Sequence, residues 1–275
     1  MESNELLNVA LDSARLAAAV HRRHIGRVRL EDWSNKGGAD FVSFVDHEAE
    51  ASIVQRIRAS FPDHAIMAEE ASASVADANE WADAEYLWLV DPLDGTTNFL
   101  HGYPAYCASV AVARAGRLLA GAVVSAATGE EWCARAGGGA TRNGQPIRVS
   151  NIERLESALI GTGFPFKNLP LLPGYLVQFD AVMRSSSGVR RAGSAALDLC
   201  HVANGYFDGF WELDLYPWDI AAGALMIQEA GGVITELMAN GIESDGPYVP
   251  TRRGGVIAGN PAIHEALRGR LRAAS

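Results

Sequence analysis

An apolar run ends in two aspartates at "LVDPLDGTTNFLHG", Leu89 to Gly102. Asp91 and Asp94 flank a proline and a leucine and lead straight into Gly95, Thr96 and Thr97. An Asp-Pro pair alone reads as a type I turn. That reading explains neither Asp94 nor why a strongly apolar strand delivers both acids at its end. Pro92 fixes its own φ and biases Asp91 toward an extended backbone, which can aim two carboxylates at one point. Their repulsion then calls for a proton or a cation. Every candidate ligand is an oxygen, which suits a hard ion such as Mg2+. Gly95 lets the backbone approach a ligand, and the amides of Gly95, Thr96 and Thr97 can cradle an anion at a helix start. Acids for a metal beside amides for an anion point to a metal-bridged phosphate.

Other acids could join them. Glu69 and Glu70 end the short apolar run "AIMAEE", where a solvated loop is the plainer reading. Asp219, in "YPWDIAAG", opens a helix, where a simple N-cap accounts for it equally well. Spacing along the chain does not bring these groups together; only a fold can.

The elements that must do so are partly readable. Leu6, Val9, Ala10, Ala14, Ala17 and Ala18 fall at helical spacing, with Ser3 as a possible cap. Two glycines in "DWSNKGGADFVSFVD" predict a flexible loop from Lys36 to Asp40. Asp46 is placed to N-cap a second helix with Ala49, Ile53 and Ile57 on one face, and "FPDH" stops it. "EYLWLV" reads as a buried strand ending at Asp91. "YCASVAVAR", "LLAGAVVSAAT" and "EWCARA" follow as an antiparallel meander, with a further turn at Asn143-Gly144. After about Ser150 strands alternate with helices at 174–184, 194–204, 219–230 and 261–271. The change suggests two stacked lobes, 1–150 and 151–275.

Bulk properties bound the function. Hydrophobic residues make up 48% of the 275 and charged residues 20%, which is globular. A net charge of −10 disfavours binding to nucleic-acid phosphates. No apolar run reaches the roughly 20 residues of a membrane span, and the N-terminus lacks the order of a secretory signal. Three widely spaced cysteines, Cys107, Cys133 and Cys200, suggest a reducing cytoplasm and free thiols.

The chain resembles the inositol monophosphatase family of Mg2+-dependent, lithium-sensitive phosphatases over nearly its whole length. The first family signature, W-x-x-D-P-[IL]-D-G-T-x-N-F, stands complete as "WLVDPLDGTTNF" at Trp88 to Phe99. The second stands as "WDIAAGALMIQEAGG" at Trp218 to Gly232, and "TGFPFK" and "RRAGSAALDL" resemble the bacterial inositol-1-phosphatase branch. Ser43 replaces a frequent threonine and Ala68 a frequent glycine; neither change removes a metal ligand. The resemblance implies a layered αβαβα sandwich of the inositol monophosphatase and fructose-1,6-bisphosphatase type. It implies two to three Mg2+ ions, held by Glu69, Asp91, Leu93 through its carbonyl, Asp94 and Asp219, with Asp91 bridging. Gly95 and Thr96 would bind phosphate, next to those same acids. Thr96, hydrogen-bonded to Asp46, would work with Glu69 to activate the attacking water. Gly193, Ser194, Ala195 and Glu212 would meet the polyol with Arg190 nearby, and Lys36 would lie on a loop closing over the metals. A homodimer is also implied, with no nucleic-acid or membrane partner. Residues 235–255 match no expected pattern.

The implied reaction is hydrolysis of a phosphate monoester, inositol 1-phosphate above all, by direct in-line attack of water with no covalent intermediate. Two other classes of function fit the same residues. One is a sister specificity for histidinol phosphate, fructose 1,6-bisphosphate or a 3′-phosphoadenylate. The other is a regulatory binding protein that has kept the fold and only incidental activity.

Overall fold

The computed structural model describes residues 2–29, 33–37, 40–72, 84–237, 243–248 and 252–274, with backbone alone at 2, 35–37, 40–41 and 243–247. The first helix, α1 (Glu2–His24), buries the six predicted apolar positions, and Ser3 lies inside it rather than capping it. The predicted loop at Lys36 to Asp40 is instead, where described, an antiparallel hairpin of β1 (Ser34–Gly37) and β2 (Asp40–Val42). The second helix, α2 (Phe44–Ser60), is capped by Ser43 and not by Asp46. Asp46 is the fourth residue of a capping box: its Oδ2 accepts from both the Ser43 amide and hydroxyl at 2.8 Å.

Seven strands follow in sequence order: β3 (Ala65–Ala68), β4 (Tyr86–Asp94), β5 (Cys107–Arg114), β6 (Arg117–Val124), β7 (Glu131–Arg135), β8 (Gly139–Arg142) and β9 (Gln145–Pro146). Only β3 runs parallel to its neighbour; the rest form the predicted meander. Asn143 and Gly144 both have positive φ, 50° and 75°, as a tight two-residue hairpin turn demands. Two short helices interrupt the series, α3 (Glu69–Ser72) after β3 and α4 (Thr96–Leu100) after β4.

The second sheet contains β10 (Leu159–Thr162), β11 (Gly188–Arg190), β12 (Gly209–Leu215), β13 (Val233–Leu237), β14 (Glu243–Pro247) and β15 (Gly254–Gly259), in the order β11-β10-β12-β15-β13-β14. Its helices are α5 (Leu172–Met183), α6 (Ala195–Ala203), α7 (Pro217–Glu229) and α8 (Pro261–Ala273). The stretch 235–255, unassigned from sequence, supplies β14 and the ends of β13 and β15; residues 238–242 and 249–251 lie outside the described chain.

Strand pleating sorts the core into three slabs. Along β4 and β5, Trp88, Val90, Ala108, Val110 and Val112 pack with α1 and α2, while Leu87, Leu89, Cys107, Ala111 and Ala113 face the opposite way, onto α6 and α7. In the second sheet Phe210, Val256 and Ala258 face that same central slab, and Trp211, Leu213 and Ile257 pack with α5 and α8. The result is helix, sheet, helix, sheet, helix. At Gly121 a Cβ would lie 3.1 Å from the Ala222 backbone, so β6 and α7 touch where both chains carry small residues. Trp211 and Trp218 belong to this packing.

Candidate active site

The apolar stretch of β4 carries on through the acids. Asp91 pairs across to Ser109 and Asp94 to Cys107, with an irregular register between them that accommodates Pro92 and Leu93. Asp91 is buried, and its Oδ1 accepts the Leu93 amide at 3.0 Å. Gly95 then turns the chain at φ +90°, a left-handed conformation that favours glycine. A Cβ there would also lie 2.7 Å from the Ala105 carbonyl. The turn opens α4, and Gly95 and Thr96 line a cavity of about 340 Å3.

Glu69, Asp91, Leu93, Asp94, Gly95, Thr96, Gly193, Ala195, Glu212 and Asp219 all line this one cavity. Asp219 enters from α7, where its Oδ2 also accepts the Tyr216 amide at 2.8 Å from the third helical position. Asp219 is therefore not the N-cap that its position suggested: Tyr216 holds that place, and Asp219 caps back onto it from the third position while lining the cavity. Glu69 opens α3, which is held by Glu50 accepting the Glu70 amide at 2.7 Å. Beneath the floor, the Thr96 hydroxyl lies 3.1 Å from Asp46 Oδ1 and 3.0 Å from the Leu93 carbonyl.

Two expected contacts fall elsewhere. Ser194 is buried and does not line the cavity: its hydroxyl donates to Asp94 Oδ2 at 2.6 Å and caps α6 by accepting from Leu197. The Ala196 amide donates to the same carboxylate oxygen at 2.7 Å. Arg190 ends β11 exposed, with its guanidinium on its own strand's Val189 carbonyl, and Arg191 lines the cavity in its place. Lys36 is on the β1 backbone, and its side chain lies outside the described residues. Sequence reasoning also missed Phe164, Phe166, Lys167, Asp214 and Tyr216, which form the cavity's outer wall. The quoted "TGFPFK" was the available signal, since it leads directly out of a strand and ends in a lysine.

Burial and mutual repulsion dominate the electrostatics. Burial, then the charges of Glu69, Asp94 and Asp219, push Asp91 well above the usual carboxylate range. Asp94 and Asp219 are raised for the same reasons, Asp94 being partly relieved by Ser194 and Ala196. Burial lifts Asp46 to about 7 and Glu212 to about 8. Among the described residues no three carboxylates, thiols or imidazoles already form a closed ion cage. The acids border one cavity and feel one another's charge. An all-oxygen donor set under such repulsion fits hard divalent cations.

The site is an acid-lined cavity in a layered α/β protein, bordered by residues from both sheets, and comparison with known proteins gives its class. The family model described as "Inositol monophosphatase family" matches residues 2–275. The chain belongs to the inositol monophosphatase family. It is 42% identical over 264 residues to the Nus factor SuhB of Pseudomonas aeruginosa, covering 95% of this chain and 94% of that one. It is 40% identical over 267 residues to the inositol-1-monophosphatase of Mesorhizobium japonicum, covering 97% and 96%. Among solved structures, the extragenic suppressor protein SuhB of Bartonella henselae superposes with a TM-score of 0.86 at 39% identity, covering 98% of each chain. The inositol monophosphatase of Anabaena superposes with a TM-score of 0.83 at 34% identity, covering 99% and 97%. The five-layer sandwich expected from the resemblance is the fold observed. No described helix is long and apolar enough to cross a membrane.

Proposed function

We propose that the chain is a Mg2+-dependent phosphomonoesterase that hydrolyses inositol 1-phosphate to inositol and phosphate. The observation that carries this is the convergence, on one cavity, of Glu69, Asp91, Asp94 and Asp219 with the helix-opening residues Gly95 and Thr96, the threonine hydroxyl being backed by a buried aspartate. Glu69, Asp91, Asp94, Asp219 and the Leu93 carbonyl would hold two to three ions, and Mg2+ when bound would neutralise phosphate charge and acidify water.

The chain's own groups do the remaining work. The Gly95 and Thr96 amides hold phosphate oxygens, since the first amides of a helix have no partner within it. Thr96 donates to Asp46, which leaves its own lone pairs to accept from the attacking water. Glu69, across the cavity, takes the water's proton. Gly193, Ala195 and Glu212 meet the leaving alcohol. Burial excludes competing solvent dipoles and strengthens each of these contacts.

A second reading rests on the relatives named Nus factor SuhB. On that reading the chain also, or chiefly, binds a macromolecular partner and its phosphatase activity is incidental. A panel of phosphate esters with Mg2+, with and without Li+, separates the two. Turnover of inositol 1-phosphate far above histidinol phosphate, fructose 1,6-bisphosphate and 3′-phosphoadenylate supports the first reading. Preference for one of those esters moves the specificity. No turnover of any, from folded protein that recovers a stable partner from cells, supports the second. Light scattering would show whether the chain is the homodimer the resemblance implies.

A further inference from the structure

Arg191 follows β11 and stands on the outer wall of the cavity. Its guanidinium carbon lies 4.6 Å from the ring centre of Phe166 and 5.6 Å from that of Phe164. The side chain folds over Gly193, where a Cβ would stand 2.4 Å from the Arg191 Nη1 nitrogen. Two aromatic faces and a bare glycine therefore fix the fork in place. Yet among the described residues the guanidinium forms only these ring contacts, with no hydrogen bond or ion pair. Its N–H donors border a cavity rich in acids and are not spent on any of them.

Glu212 faces the same space from β12. Its carboxyl packs against Gly163, where a Cβ would lie 1.8 Å from Oε1, so this close approach exists only because residue 163 has no side chain. Of the charges around Glu212, Arg191 is felt most strongly. The two nevertheless do not close into an ion pair. A hydroxyl bridging them needs about 2.9 Å on the nitrogen side and about 2.7 Å on the oxygen side, so a gap wider than a direct contact is what such a guest requires. Asp198, buried on α6 nearby, is held well above the usual carboxylate range by burial. A guanidinium and a carboxyl on one cavity suit a neutral group that both accepts and donates.

We propose that Arg191, which borders the same cavity as Glu212, selects the leaving alcohol. The guanidinium donates to a hydroxyl oxygen beside the ester, and Glu212 accepts from that hydroxyl or its neighbour. The site thereby takes phosphates of polyols and disfavours esters of simple alcohols. This rests on the phosphatase reading above and names a residue that reading did not contain.

The test is a specificity ratio: kcat/KM for inositol 1-phosphate divided by kcat/KM for phenyl phosphate, which has no hydroxyl to offer. Arg191→Met keeps the contact with the two phenylalanines and removes the donors. It should lower the ratio about 10- to 100-fold, the worth of one or two hydrogen bonds to a charged donor, chiefly through KM for the inositol ester. Arg191→Lys keeps the charge without the planar fork and should fall between. A ratio within twofold of wild type in Arg191→Met overturns the proposal, whatever happens to both rates together. So does a ratio that falls for fructose 1,6-bisphosphate and not for the inositol ester, which would assign Arg191 to a second phosphate. Wild-type protein that hydrolyses no ester of the panel sinks the phosphatase reading itself, whereas wild type active on phenyl phosphate with no preference for the polyol ester sinks only this one.

Discussion

Replacing Ser194 with alanine should injure the site although Ser194 does not itself line the cavity. The Ser194 hydroxyl donates to Asp94 at 2.6 Å, a short bond to a carboxylate, and losses of such charge-assisted bonds run to about 1.5–3 kcal/mol. The same oxygen caps α6, but its bond from the Leu197 amide is 3.4 Å, so this part falls at the low end of capping losses, about 0.5 kcal/mol. Asp94 keeps the Ala196 amide at 2.7 Å, which limits the damage. The sum is about 2–3 kcal/mol. Urea unfolding in Mg2+-free buffer should show that loss with an unchanged slope. Because the Asp94 carboxylate is then less firmly aimed, the Mg2+ concentration for half-maximal activity should rise about tenfold, equivalent to roughly 1.4 kcal/mol. Ser194→Thr keeps the hydroxyl and should retain most of both properties. If Ser194→Ala lies within about 0.5 kcal/mol of wild type with the same Mg2+ requirement, the hydroxyl does not hold Asp94, and the reasoning fails.

Gly163→Ala should displace the Glu212 carboxyl, since the new Cβ would sit 1.8 Å from its Oε1; steady-state kinetics should show KM for the polyol ester rising well before kcat falls. Thr96→Val removes the hydroxyl between Asp46 and the water but keeps the side-chain volume; kcat should drop by about 10² to 10⁴, with phosphate release as the readout and Mg2+ binding by calorimetry unchanged. His21 provides a pH test. Burial, slightly opposed by its bond to the Pro92 carbonyl, lowers it to about 4, and Nδ1 has no partner with which to hold a second proton. Between about 4 and 6.5 the unfolded chain binds that proton and the native one does not, so this group's stabilisation is present above 6.5 and is lost as pH falls through 4. About 2.5 units correspond to roughly 3 kcal/mol. Asp46 and Glu212, raised by burial, act in the opposite direction over neighbouring pH values. The comparison is therefore with His21→Gln, which keeps a donor for Pro92 and should lack the extra acid loss in denaturant titrations from pH 7 to pH 4.5.

Much of the scaffold was legible because strand pleat and helix period write themselves into residue order. "CASVAVA" at Cys107 to Ala113 reads simply as a buried strand, and both of its faces are indeed covered, alternate residues going to different helical layers. The helix around Ala10 and Ala14 was equally plain. The error at Asp46 came from preferring the acid over the serine three residues before it, although Ser43-x-x-Asp46 is itself a capping-box pattern. The exchange of Arg190 for Arg191 has a different origin. Adjacent residues at a strand end point to opposite sides, and which side holds the cavity depends on a sheet of six strands whose order is not in any local pattern. Ser194 was placed near the substrate by the family resemblance, along with Gly193 and Ala195 on either side of it. Its true partner, Asp94, lies a hundred residues away in sequence and belongs to the other sheet's half of the molecule. The strands β13 and β14 went unread because "TELMANGIESDGPYVP" mixes acids, glycine and proline without a period.

That clasp on Asp94 makes the two halves of the chain interdependent. A strand near the N-terminal end of one sheet presents the acid, and a helix from the far half finishes aiming it, so neither fragment would inherit a usable portion of the chemistry. Loosening the seam between them would register as a failing catalyst before it registered as a melting protein.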